Sequence, residues 1–130
     1  MKGWSLNDLN LILKIAESAG QKILKIYQDD QLKIKAKYDG TPLTNADMIS
    51  HKTIQIALKK NYKEIPILSE EGKKFKKNNE IFWCVDPLDG TKEFIKKNGE
   101  FTVNIALISK KKPILGVIHI PVFNESFMAL

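Results

Sequence analysis

The chain has 130 residues, 43% hydrophobic and 28% charged, which excludes a disordered tail and suits one globular core. Its net charge of +6 rests on 21 lysines with no arginine, beside 17 isoleucines and nine asparagines; this fits either drift toward A- and T-rich codons or a basic surface, and lacking arginine's bidentate fork it argues against nucleic-acid reading. No run approaches the ~18 apolar residues of a membrane span, so a cytoplasmic chain is expected, and with one cysteine, Cys84, and two separated histidines, His51 and His119, there is neither a disulfide nor a zinc set, leaving carboxylates to hold any metal.

Ser5 with Asp8 three residues on forms a capping-box-like start. Leu6, Leu9, Ile12, Leu13, Ala16, Ile23 and Ile26 then recur at helical spacing, which predicts an amphipathic helix over residues 6 to 29. Leu32, Ile34 and Ala36 alternate with lysines as a half-buried strand does, and Tyr38-Asp39-Gly40-Thr41-Pro42 reads as a turn. Thr44 with Asp47 repeats the cap arrangement, and Ile49, Ile56 and Ala57 carry a second helix from about Asn45 to about Asn61.

From there the period shortens. Apolar runs at residues 65–68, 81–85, 102–109, 114–120 and 126–130 predict strands. Lys110-Lys111-Lys112-Pro113 reads as a hairpin tip and residues 73–79 as a polar, lysine-rich loop. There is no internal repeat and no linker. The last strand stops at Leu130 without a polar tail, so the chain is expected to be cut short, since termini normally lie at the surface and fray.

Three segments carry candidate chemistry. In Trp83-Cys84-Val85-Asp86-Pro87-Leu88-Asp89-Gly90-Thr91 an apolar strand delivers Asp86, Pro87 is expected to stop the ladder, and Asp89 returns on a tight turn. Two carboxylates so spaced can converge on a magnesium ion, which takes hard oxygen ligands; Gly90 lets a phosphate approach the backbone, and residues 92–97 read as a short helix behind it. The same residues also compose an ordinary surface turn. Ile65-Pro66-Ile67-Leu68 runs into Ser69-Glu70-Glu71-Gly72, either a second source of carboxylates for a two-metal site or a solvated strand end. Residues 41–47 by themselves are a helix cap. His51 and His119 read as structural, and Cys84 as a small core residue.

The order Thr44-Asn45-Ala46-Asp47, Leu68-Ser69-Glu70-Glu71 and Asp86-Pro87-Leu88-Asp89-Gly90-Thr91 resembles the inositol monophosphatase superfamily of magnesium-dependent, lithium-sensitive phosphatases. The continuation Lys92-Glu93-Phe94, with the stretch through Ile108, is similar to its CysQ-type 3'(2'),5'-bisphosphate nucleotidases. The resemblance implies an α/β fold, the N-terminal part of an α-β-α-β-α layered phosphatase with two long helices on a largely antiparallel sheet. It implies that Glu70, Asp86 and the Leu88 carbonyl hold one Mg2+, that Asp86 and Asp89 share a second, and that Glu70, Leu88, Asp89, Gly90 and Thr91 bind the substrate, Gly90 and Thr91 through its phosphate. Thr91, oriented by Asp47, would assist Glu70 in activating the attacking water, and the substrate would be a phosphorylated nucleotide, adenosine 3',5'-bisphosphate, cleaved to AMP and phosphate. Inositol-1-phosphate hydrolysis and a non-catalytic remnant of a decayed gene are the competing readings.

The family carries a further aspartate in a late Trp-Asp motif, together with much of the nucleoside pocket. After Asp89 this chain has no aspartate, and Glu93, Glu100 and Glu125 do not sit in such a motif. The resemblance therefore implies a nearly complete first metal site, an incomplete second one, little activity alone, and completion by self-association or by a complementing C-terminal chain. It also permits loose attachment to the inner membrane.

Overall fold

The computed structural model describes residues 3–29, 33–37, 42–70 and 80–130; the first four residues of the turn expected over 38–42, Leu32, Glu71 and the lysine-rich loop at 73–79 lie outside them. Helix α1 spans Leu6–Asp29 and α2 spans Asn45–Asn61, both within the expected bounds. Asp8 closes the start of α1 by accepting from the Ser5 amide at 3.0 Å and its hydroxyl at 3.1 Å, and its other oxygen accepts from the Tyr62 hydroxyl at 2.8 Å, tying the two helices together. At α2, Thr44 and Asp47 form a reciprocal capping box.

A two-stranded ribbon, β1 (Ile34–Ala36) with β2 (Pro42–Thr44), precedes α2. The main sheet has five strands in chain order: β3 (Ile67–Ser69), β4 (Ile81–Asp89), β5 (Thr102–Ser109), β6 (Lys112–Ile120) and β7 (Glu125–Ala129). Among the described residues only β3 and β4 run parallel; the other neighbouring pairs are antiparallel. A five-residue helix, α3 (Thr91–Ile95), follows β4.

Both long helices lie on one face of this sheet, α1 against β5 and β6 and α2 against β4. Ile12, Ala16, Ala19 and Ile23 of α1 and Ala46, Ile54 and Leu58 of α2 meet Trp83, Val85, Val103, Ile105, Leu107, Leu115 and Val117 in one core. Each fully buried Ile, Leu or Val contributes about 1.5–3 kcal/mol. The buried face of α2 runs through Ala46, Ser50, Ile54 and Leu58, four residues apart. Ile49 and Ile56, expected to mark that face, point to solvent instead, because the small and polar side chains at 46 and 50 are the ones that fit against the strand ends. Gly20 lets α1 approach β6 closely: a Cβ there would stand 2.8 Å from the His119 ring.

The opposite face carries no packed element among the described residues. Leu68, Cys84, Ala106, Gly116 and Ala129 form one row across it, and Asp86, Asn104, Ile118 and Phe127 form the next. Together they line an open depression of ≈ 750 Å³. Cys84 is exposed, which corrects its reading as a core residue: alternation along β4 buries Trp83 and Val85 under the helices and turns Cys84 the other way.

Candidate active site

The parallel pairing of β3 with β4 aligns Ser69 with Val85, so the next residue on each strand, Glu70 and Asp86, emerges at the same end. Beyond Asp86, Pro87 does not end the strand as expected. The ladder is interrupted by a bulge between Asp86, opposite Asn104, and Asp89, opposite Thr102, so two residues of β4 oppose one of β5. Pro87 and Leu88 are buried within the bulge. The carbonyl of Pro87 accepts from the Ser50 hydroxyl at 2.6 Å, and that of Leu88 lies 3.4 Å from the Thr91 hydroxyl.

Gly90 follows with φ 92 and ψ 42 and starts α3. A Cβ at this position would stand 2.7 Å from the Glu100 carbonyl, so only glycine fits both the left-handed backbone and the close approach. A helix this short is not stable on its own; Phe94 anchors it, buried edge-on against Phe101 with ring centroids 5.0 Å apart. Thr91 is thereby held where its hydroxyl donates to Asp47 Oδ1 at 2.9 Å. Asp47 Oδ2 accepts from the Thr44 amide at 2.9 Å and also from the Thr44 hydroxyl. Asp47 is 1% exposed, a buried carboxylate whose two oxygens are both occupied.

Of the residues expected at the site, the structure joins Asp47 to Thr91 directly and couples Glu70, Asp86 and Asp89 electrostatically. Burial above all, then the negative charges of Glu70 and Asp89, push the Asp86 carboxyl up to about 7; a hydrogen bond from the Leu88 amide pulls weakly the other way. Asp86 Oδ1 is buried with no hydrogen-bond partner, as is Asn104 Oδ1 beside it in the register. Among the described residues no three His, Cys, Asp or Glu side chains close into a metal cage. The donor set instead consists of paired carboxylates, an orphaned carboxylate oxygen and nearby carbonyls. It fits magnesium, which takes few protein ligands and fills the rest of its shell with water and phosphate oxygens.

Three residues of this neighbourhood, Asn104, Ser50 and His51, have no site role in the sequence reading, which takes His51 as structural. Asn104 donates to Asp89 Oδ2 at 3.4 Å, and its signal was a polar side chain inside the apolar run 102–109. Ser50 reaches Pro87, and His51 Nδ1 lies 2.9 Å from Ser69 Oγ. Their signal was the spacing from Asp47, since residues three and four further on share its helix face. His51 and His119 are both buried and hydrogen-bonded, His119 Nδ1 to Ser126 Oγ at 2.8 Å.

Residues 7–130 match the inositol monophosphatase family. The 3'(2'),5'-bisphosphate nucleotidase CysQ of Shigella flexneri is 45% identical over 125 residues, 93% of this chain and 51% of that protein. The protein of the same name from Buchnera aphidicola is also 45% identical, over 93% of this chain and 47% of its own length. Among solved structures, CysQ from Bacteroides thetaiotaomicron aligns with a TM-score of 0.75 at 45% identity, covering 93% of this chain and 45% of that one. The extragenic suppressor protein suhB from Bartonella henselae aligns with a TM-score of 0.84 at 32% identity, covering 92% and 47%. The chain thus spans about half the length of the curated relatives it matches.

Proposed function

Because the chain belongs to the inositol monophosphatase family, we propose that it is the N-terminal part of a magnesium-dependent phosphomonoesterase that hydrolyses adenosine 3',5'-bisphosphate to AMP and phosphate in the cytoplasm. The 3'(2'),5'-bisphosphate class of nucleotide is supported by the name borne by relatives 45% identical to it, and adenosine is part of the proposal. The observation that carries the chemistry is the Thr91–Asp47 hydrogen bond beside the coupled carboxylates Glu70, Asp86 and Asp89.

In this reading Glu70, Asp86, Asp89 and the Leu88 carbonyl are the groups that would hold magnesium. When bound, magnesium neutralises phosphate charge and polarises the phosphorus–oxygen bonds. Gly90, without a side chain, admits the phosphate to the backbone of the Gly90-Thr91 turn. The single hydroxyl proton of Thr91 is committed to Asp47, so its oxygen has only lone pairs to offer and accepts a hydrogen bond from the attacking water. Glu70 takes the other proton of that water as its oxygen bonds to phosphorus; the ester bond to the ribose oxygen breaks on the opposite side, and that oxygen takes a proton from solvent water as it leaves. The ligand that completes the magnesium site and most of the nucleoside pocket belong, in this proposal, to a complementing C-terminal segment.

Phosphate release from adenosine 3',5'-bisphosphate, with and without Mg2+, tests this with the chain and its Asp86→Asn variant. Slow, Mg2+-dependent release that the variant loses is expected. Equal release by both proteins, or none under any condition, would refute turnover by these residues alone.

A further inference from the structure

Three hydrogen bonds start from one face of α2, and the functional reading uses only that of Asp47. Asp47, Ser50 and His51 stand at positions i, i+3 and i+4 of the helix, and they are 1%, 0% and 7% exposed. Each grips a different segment of the site. Asp47 holds Thr91, 44 residues away in sequence; Ser50 holds the Pro87 carbonyl, 37 away; His51 holds Ser69, 18 away. Ser69 directly precedes Glu70, and Pro87 directly follows Asp86.

We propose that Ser50 and His51 are positioning residues that set the separation of Glu70 from Asp86, and thereby the affinity of the site for a divalent cation. This rests on the proposed metal site. The bulge in β4 releases the Pro87 carbonyl from the ladder, and buried carbonyls need a donor. The Ser50 hydroxyl supplies it, pinning the strand at the point between the two aspartates. The edge strand β3 is only three residues long, and the Glu70 amide meets the Val85 carbonyl at a long 3.4 Å. The pairing of β3 therefore fixes Glu70 weakly by itself, and the buried His51–Ser69 bond ties the end of this short strand to the same helix that holds β4. One rigid α-helical turn then spaces both carboxylates. Partners of this kind, which orient the ligands rather than bind the ion, change metal affinity about 10–100-fold when removed.

The test is Mn2+ binding by the full chain, read by the loss of the free-ion electron paramagnetic resonance signal, together with thermal melting in EDTA. Ser50→Ala and His51→Leu are each expected to weaken Mn2+ binding about 10-fold or more, whereas His51→Asn, which puts a polar atom near the place of Nδ1, keeps affinity within about threefold of wild type. Asp86→Asn is the control for the site itself. If Asp86→Asn binds Mn2+ as wild type does, the metal site is wrong and the inference falls with it. If Asp86→Asn weakens binding but folded Ser50→Ala and His51→Leu do not, the site stands and the positioning role is overturned. Should Ser50→Ala fail to fold, the comparison of His51→Leu with His51→Asn decides, and equal affinity in those two overturns the proposal.

Discussion

Thr91 Oγ1 lies 2.9 Å from Asp47 Oδ1, so a hydroxyl on the first residue of α3 is bound to a carboxylate in the first turn of α2. The same carboxylate closes the capping box with Thr44, and one side chain therefore serves both the helix start and the candidate active site. Removing it by Asp47→Ala is expected to cost about 2–3 kcal/mol, the sum of a lost cap and a lost bond to a charged acceptor, read as a lower urea midpoint. Thr91→Val removes only the second contact. It is expected to lower phosphate release about 100-fold or more while leaving Mn2+ affinity close to wild type, and Thr91→Ser restores release. Unchanged release by Thr91→Val would contradict the role given to this hydroxyl.

The Asp86 carboxyl, raised from 3.8 to about 7 by burial and by its acidic neighbours, makes stability depend on pH in a definite direction. A folded state that holds the proton more tightly than the unfolded chain gains stability fully below about pH 4 and loses it as pH rises through about 7. In EDTA, Asp86→Asn is therefore expected to melt higher than wild type at pH 8, with the difference shrinking to nothing near pH 4. Solvent screening of this partly exposed group keeps the gain to about 1–2 kcal/mol, a few degrees in Tm for a domain of this size. Mg2+ should act oppositely on wild type, stabilising it more at pH 8 than at pH 5, since the cation competes with the proton. A variant that melts lower than wild type at pH 8 would contradict the sign.

Gly90 and Gly99 offer a comparison within one protein. Both have positive φ, 92 and 79, but a Cβ at Gly90 would meet the Glu100 carbonyl at 2.7 Å, whereas one at Gly99 meets only the Val122 side chain at 3.5 Å. Gly99→Ala is expected to cost about 1–2 kcal/mol from backbone strain. Gly90→Ala is expected to cost more, because a backbone atom must also move. Equal midpoints for the two variants in urea would show that the turn adapts freely.

The open sheet face predicts association. Leu68, Ile118 and Phe127 are exposed on it at 36%, 46% and 61%, and contiguous apolar surface of this kind tends to find a partner. Static light scattering should show a mass above 14.8 kDa that rises with concentration. Alkylation of Cys84, exposed in the single chain, should slow over the same range, and Phe127→Lys should suppress both effects. A constant monomer mass with constant alkylation would remove the argument.

The local elements were legible in the residue order. The helix bounds Leu6–Asp29 and Asn45–Asn61, both cap pairs and the strand β5 (Thr102–Ser109) follow from spacing and end signals, because helices and their caps are decided by contacts within a few residues. The motif from which the candidate site is proposed could likewise be picked out, since Asp86, Asp89, Gly90 and Thr91 lie within six consecutive residues. Less legible was which side of an element meets the core. Cys84 inside an apolar run and Ile56 at helical spacing both read as core, and only the packing of both long helices on one sheet face turns them outward. The bulge at Pro87 and the hydrogen bonds of Ser50, His51 and Asn104 also depend on partners 13 to 37 residues away. Above all, the meeting of Glu70 with Asp86 rests on β3 pairing parallel to β4. An antiparallel pairing of the same two segments would send these carboxylates to opposite ends of the sheet, and strand direction is set by how the chain crosses between them, which no local pattern encodes.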